Sequence, residues 1–104
     1  MDAALRAIAE PHRREIIRLV WNTELPAGEI ADRVGGISRP AVSQHLKVLR
    51  DAGLLSERRD GTRRLYRARR DRIQQLRMYL DGFWSDRLGA LRSAAEREAK
   101  RKRS

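Results

Sequence analysis

Apolar residues recur at helical spacing along most of this chain, and the pattern changes clearly once, between Leu54 and Tyr66, to a strand-like run. Asp2 is suited to cap a first helix that runs through Glu10, with Leu5, Ile8 and Ala9 on one face. Pro11 fits the first turn of a second helix, where its missing N–H has no intrahelical partner to lose. That helix turns Ile16, Ile17, Leu19, Val20 and Trp21 inward and Arg13, Arg14 and Arg18 toward water. Asn22–Thr23–Glu24 break the pattern, Pro26 starts a short third helix with Ile30, Ala31 and Val34 as its stripe, and Gly35–Gly36 end it.

Ser38 is a good N-cap for a fourth helix, and Pro40 is tolerated in its first turn. Val42, Leu46 and Leu49 face the core, so Ser43, Gln44, Lys47 and Arg50 project away from it. Ala52–Gly53 stop this helix and Leu54–Leu55 open a strand. Asp60–Gly61 is a two-residue hairpin signal, and Leu65–Tyr66 lie on the returning strand. Asp71 with Gln74 has the spacing of a capping box for a long last helix. Its stripe is Ile73, Leu76, Leu80, Phe83, Trp84, Leu88, Leu91 and Ala95, more than one small domain can cover. Residues 1–99 are expected to form one domain, mostly α with a small β-hairpin, and 100–104 a frayed basic C-terminal tail.

Composition narrows the partners. The chain has 104 residues, 40% of them apolar, and only two Trp, two Tyr and one Phe, so its core is thin and burial shared with a second copy would help. The formal charge of +10 comes from 24 basic against 14 acidic residues, and a surplus of this size favours polyanions. All the bases but Lys47, Lys100 and Lys102 are arginines, through compositional bias or because Arg forks onto phosphate and guanine. With no cysteine there is no disulfide, thiolate metal site or thiol switch. No apolar run approaches membrane-spanning length, and Asp2 follows Met1 where a signal peptide would be basic; a cytoplasmic protein is expected.

Two short helices joined by a tight turn, the second polar on one side, suit helix-turn-helix docking on duplex DNA. Ser38, Arg39, Ser43, Gln44 and His45 are the candidate base readers; Pro40, Lys47 and Arg50 complete that flank. Arg39 can fork onto guanine and Gln44 onto adenine. Taken alone, the helix reads equally well as a core helix with a solvated face. The hairpin tips the balance. From Ser56 to Arg72 the bases Arg58, Arg59, Arg63, Arg64, Arg67, Arg69, Arg70 and Arg72 face only Glu57, Asp60 and Asp71. Phosphate contacts from Arg58, Arg59, Arg63 and Arg64 set register without reading sequence. No serine has a patterned His–Asp partner and no Gly-rich phosphate loop occurs, so neither an enzyme nor a cofactor is expected. The histidines, His12 in an exposed first turn and His45 at the edge of the reading helix, are far apart in sequence and make a poor zinc site. Phe83 and Trp84 suit a dimer core better than an effector pocket, and Trp21 packs between helices.

Several stretches resemble the ArsR-type winged helix-turn-helix repressors of bacteria. Glu10-Pro11-His12-Arg13-Arg14-Glu15-Ile16 looks like that family's opening of helix two, and Leu25-Pro26-Ala27-Gly28-Glu29-Ile30-Ala31 like its third-helix start. Ser38-Arg39-Pro40-Ala41-Val42-Ser43-Gln44-His45-Leu46-Lys47-Val48-Leu49 is close to its recognition helix. Ala52-Gly53-Leu54-Leu55, Asp60-Gly61 and Tyr66 match strand and wing, and Phe83-Trp84 with Arg87-Leu88 a subgroup without metal-binding cysteines. The resemblance implies an α1-α2-α3-α4-β-β-α5 subunit that dimerises through its first and last helices. It implies repression at an imperfect palindromic operator in double-stranded DNA, relieved by an effector whose chemistry is open. Metal-sensing members place ligands on the third and last helices. Here these offer only Glu29 and Asp32, then Asp81, Asp86, Glu96 and Glu98 with no histidine, so no metal site of that type is expected. The connection Val34–Ser38 is one residue longer than the family's usual turn. The alternative is a non-specific nucleic-acid-binding or architectural protein; a ligand-sensing module whose DNA binding is secondary is a further possibility.

Overall fold

Helix formation dominates the computed structural model, which describes residues 1–103 without the side chains at positions 84, 86, 87, 88, 90 and 103. Among the described residues the order is α1 (Asp2–Ile8), α2 (Pro11–Leu19), β1 (Leu25–Pro26), α3 (Ala27–Val34), α4 (Arg39–Asp51), β2 (Leu55–Asp60), β3 (Arg63–Ala68) and α5 (Arg70–Arg103). This is the expected mostly α winged helix-turn-helix with one added strand, β1. The chain divides into two compact units, Met1–Gln74 and a second from Gln75 onward.

The first unit closes around Ile16, Val20, Ile30, Val42, Leu46, Leu49 and Leu54, each no more than 2% exposed. α1 is shorter than its pattern suggested. Asp2 is already helical, with Met1 as the N-cap and no side-chain cap. The helix stops at Ile8 because Glu10 turns away to cap α2, its Oε2 accepting from the Arg13 N–H at 2.9 Å. Ala7, not Ala9, is the buried alanine. Two α2 arginines read as solvent-facing instead hold the end of α1. Arg13 donates from Nε to the Ala7 carbonyl (2.6 Å) and from Nη2 to that of Arg6 (3.1 Å), and Arg14 donates from Nη1 to that of Ile8 (2.8 Å). They satisfy carbonyls that the helix end leaves without partners.

Pro26 precedes α3 as its N-cap and belongs to β1. The sheet is antiparallel in the order β1-β3-β2, with Leu25 opposite Tyr66 and Pro26 opposite Leu65. Proline, lacking an N–H, is compatible with this edge. Gly35 and Gly36 between α3 and α4 both have positive φ, 61° and 71°, a conformation that other residues resist. Ser38 caps α4 as expected, its Oγ accepting from the Ala41 N–H at 3.2 Å. Asp60 pairs with Arg63, so the two turn residues are Gly61–Thr62, not Asp60–Gly61. Gly61 has φ 64° and no non-glycine residue among those described has positive φ, the signature of a type II′ turn.

α5 begins at Arg70, so Asp71 lies inside its first turn, 3.7 Å from Arg69, and does not cap it. Ile73 packs against the core of the first unit. In the second unit Leu76 is buried, while Phe83 and Leu91 are 46% and 67% exposed. The expected roles of Trp84 and Leu88, and the Arg87 match, fall outside the described residues. Lys100–Arg103 continue the helix instead of fraying, and Glu98 pairs with Arg101 at 2.7 Å. No helix among the described residues is long and apolar enough to cross a membrane.

Candidate nucleic-acid interface

α4 separates its residues cleanly. Val42, Leu46 and Leu49 are 1%, 2% and 0% exposed, which fixes the helix against the core. Ser38, Arg39, Pro40, Ser43, Gln44 and Lys47 are all exposed. Three adjoining grooves join this flank to its neighbours. Arg39 and Ser43 border one with Ala27, Gly28 and Ala31 of α3. Ser43, Lys47 and Arg50 border a second with Arg64 and Tyr66 of β3. Pro26, Ala27 and Gly28 border a third with Thr62, Arg63 and Arg64 at the hairpin. Reading helix, α3 start and hairpin thus share one basic face.

The hairpin sorts its arginines by face. Arg59 lies opposite Arg64, on the side that carries Glu57 and Tyr66; Arg58 lies opposite Leu65, on the other side with Arg63. Like charges directly opposite each other cost stability, and an anion between Arg59 and Arg64 relieves that cost. Arg64 has partial compensation from Glu57, at 3.6 Å. Arg58 is held by Glu24, with 2.6 Å and 3.2 Å hydrogen bonds. That bond keeps the Glu24 carboxyl below the ordinary carboxylate range, against the opposing effect of burial.

Other predicted contact residues are engaged as well. Arg50 is half-buried, and its Nη1 donates to Glu57 at 2.7 Å, joining α4 to β2. The Arg50 hydrogen bond holds the Glu57 carboxyl below its ordinary range, although burial pulls the other way. His45 turns off the exposed flank toward the α1–α2 junction. Its ring stacks on that of His12, with centroids 5.8 Å apart and planes 15° apart. Glu10 Oε1 lies 2.7 Å from His12 Nδ1, and Glu10 Oε2 lies 3.9 Å from His45 Nε2. Burial works against ionisation of Glu10, but hydrogen bonds from His12 and the Arg13 N–H hold its carboxyl below the ordinary range. Arg39 is also engaged, 2.8 Å from Asp32 of α3, in a pair whose members are 69% and 68% exposed.

Known proteins resemble this chain in sequence and fold. A family model described as a helix-turn-helix domain matches residues 8–58. The HTH-type transcriptional regulator Rv2034 of Mycobacterium tuberculosis is 45% identical over 84 residues, covering 81% of this chain and 78% of that protein. The crystal structure of a possible transcriptional regulator for arsenical resistance superposes with a TM-score of 0.72 at 40% identity, over 86% of this chain and 95% of that one. An ArsR-like transcriptional regulator from Rhodococcus reaches a TM-score of 0.76 at 26% identity, over 91% of this chain and 89% of its own. The chain belongs to the ArsR-type family of helix-turn-helix transcriptional regulators. It is a sequence-specific DNA-binding regulator, and the family is not one of enzymes.

The face of this ArsR-type regulator includes residues that sequence reasoning passed over. Ala27 and Gly28 open α3 beside Arg39 and Arg63, and no side chain caps that helix. Its first N–H groups therefore suit a phosphate oxygen. Thr62 is exposed at the hairpin tip and lines the same groove. Pro26-Ala27-Gly28 gave one usable signal, a helix start lacking a capping side chain.

Proposed function

We propose that this regulator is a homodimeric repressor that occupies an imperfect palindrome in double-stranded DNA until an effector weakens its grip. The carrying observation is that Ser43, Gln44 and Lys47 stand exposed on a helix whose opposite side is fully buried. Arg39, Ser43 and Gln44 read base edges in the major groove. Ser38, Pro40 and Lys47 lie along the adjoining backbone. Arg59, Arg63 and Arg64 hold phosphates, and Arg58 joins them on release from Glu24. His45 and Arg50 fix the attitude of the reading helix through Glu10, His12 and Glu57.

Exposed Met78, Tyr79, Phe83 and Leu91 on α5 supply apolar area that a second copy covers. Twofold symmetry then presents two reading helices about one helical turn apart, and the operator mirrors it. Residues 1–99 work as the DNA-binding and dimerising domain, with the basic segment 100–104 outside it. The protein acts in the cytoplasm, at the nucleoid.

The deciding experiment is footprinting on the promoter of its own gene, with competition by random duplex at matched salt. A protected, two-half-site palindrome that survives random competitor is expected. Equal affinity for promoter and random duplex overturns specific repression in favour of an architectural role. Sedimentation showing a monomer on the operator overturns the dimer.

A further inference from the structure

We propose that Glu10, His12 and His45 form a binding site for a divalent transition metal of the Zn²⁺, Co²⁺ or Ni²⁺ class. One ligand atom from each of these residues lies within 4.8 Å of the other two. Imidazole and carboxylate donors suit these borderline cations, and the set of two His and one Glu is that of open zinc sites. The chain has no cysteine, so softer, thiolate-seeking metals find no such ligand.

The fold explains how residues distant in sequence meet. Glu10 is fixed as the N-cap of α2, and His12 follows in the first turn, beyond the rigid Pro11. His45 comes from the middle of α4 and is the most sheltered, at 17% side-chain exposure against 28% for Glu10 and 43% for His12. The cluster is thus anchored on two helices yet open on one side, where water can complete a tetrahedral shell. Metal–ligand bonds of about 2.0–2.2 Å put tetrahedral donors roughly 3.4 Å apart, so side-chain rotation must close the widest pair by roughly 1.4 Å.

Arg13 is the opposing charge. Its Nη1 lies 3.4 Å from His45 Nδ1, while Nε and Nη2 are committed to the α1 carbonyls. Arginine only donates, so this contact assigns the acceptor role to Nδ1 and leaves the proton on Nε2. Coordination through Nε2 requires the tautomer with the proton moved to Nδ1, which no longer accepts from Arg13, so a long and therefore weak contact is given up. The carboxylate of Glu10 offsets part of the added charge.

The site does not depend on DNA binding, so its test needs none. Untagged, metal-free full chain is titrated with Co²⁺, and Zn²⁺ is then added to displace it. One Co²⁺ per chain, with the visible absorption of a four- or five-coordinate ion, is expected. His12→Gln and His45→Gln should each weaken binding by more than about tenfold, since even groups that merely support ligands cost 10–100-fold. Thermal melts establish that the variants fold. A second measurement needs no variant: His12 and His45 are the only histidines, so ¹⁵N spectra report both imidazoles directly. Zn²⁺ should shift a ring nitrogen of each. Unshifted imidazoles, no stoichiometric Co²⁺ binding, or full affinity in a folded His12→Gln/His45→Gln double variant overturns the site.

Discussion

Arg39 has a partner before any duplex arrives. Its pairing with Asp32 is exposed on both sides, and such pairs contribute only about 0–1 kcal/mol. The guanidinium is therefore released at small cost, and under the proposed function it exchanges Asp32 for a base edge or phosphate. Asp32→Asn removes that competitor and one negative charge from the basic face. It should raise affinity for all duplexes by up to about fivefold, the equivalent of about 1 kcal/mol. Fluorescence anisotropy on operator and random DNA measures it, and unchanged or weaker binding contradicts the account. Gln44 stands exposed beside Ser43 and should behave differently. Gln44→Ala should leave random-duplex affinity nearly unchanged while losing about 1–3 kcal/mol of discrimination at one base position per half-site. A panel of single-base operator variants reads this out.

The elements hold that residue-level geometry in place. Leu46 lies on the inner side of α4 at 2% exposure, so Leu46→Ala should cost about 2–5 kcal/mol in thermal or denaturant unfolding. Wing and reading helix are joined by Arg50 and Glu57. The folded chain holds the Glu57 carboxyl below its ordinary range, chiefly through the Arg50 hydrogen bond. Its contribution is full above the ordinary glutamate range and fades as pH falls through the lowered value. Glu57→Gln should therefore lower the melting temperature at neutral pH, and the gap from the native chain should narrow in acid. A constant gap across the acid range contradicts the linkage.

Local chemistry explains which elements were legible. Ser38, the Val42–Leu46–Leu49 spacing and Gly53 specify α4 within a single segment, and Gly61 marks the hairpin. β1 was not legible, because two residues carry no period and Leu25–Pro26 becomes a strand only by pairing with Leu65–Tyr66. Asp60 drew the turn one residue early, since Asp-Gly suits one hairpin turn and Gly-Thr another. Of the site, the exposed flank of α4 followed from periodicity, whereas the turning of His45 toward Glu10 and His12 depended on how α2 crosses α4. Sequence spacing alone carries no such information.

At the scale of the whole molecule, charge governs behaviour. With about six to ten phosphate contacts, affinity should fall by roughly 10³–10⁵ between 50 and 200 mM salt. Replacing Arg63 and Arg64 together by Ala should weaken operator and random DNA alike and flatten the log–log salt slope of the dimer by about 3.6, at roughly 0.9 for each of four lost contacts. Titrations over a salt series distinguish this from a change in base preference. The small sheet has a further consequence. One margin ends in Pro26, which offers no N–H, and the other is β2, with exposed Arg58 and Arg59. Neither border invites a stranger's backbone to zip alongside, because one withholds a donor and the other repels its own kind. The guanidinium groups proposed to hold phosphates therefore also guard the molecule against self-templated fibres when it is crowded and unbound.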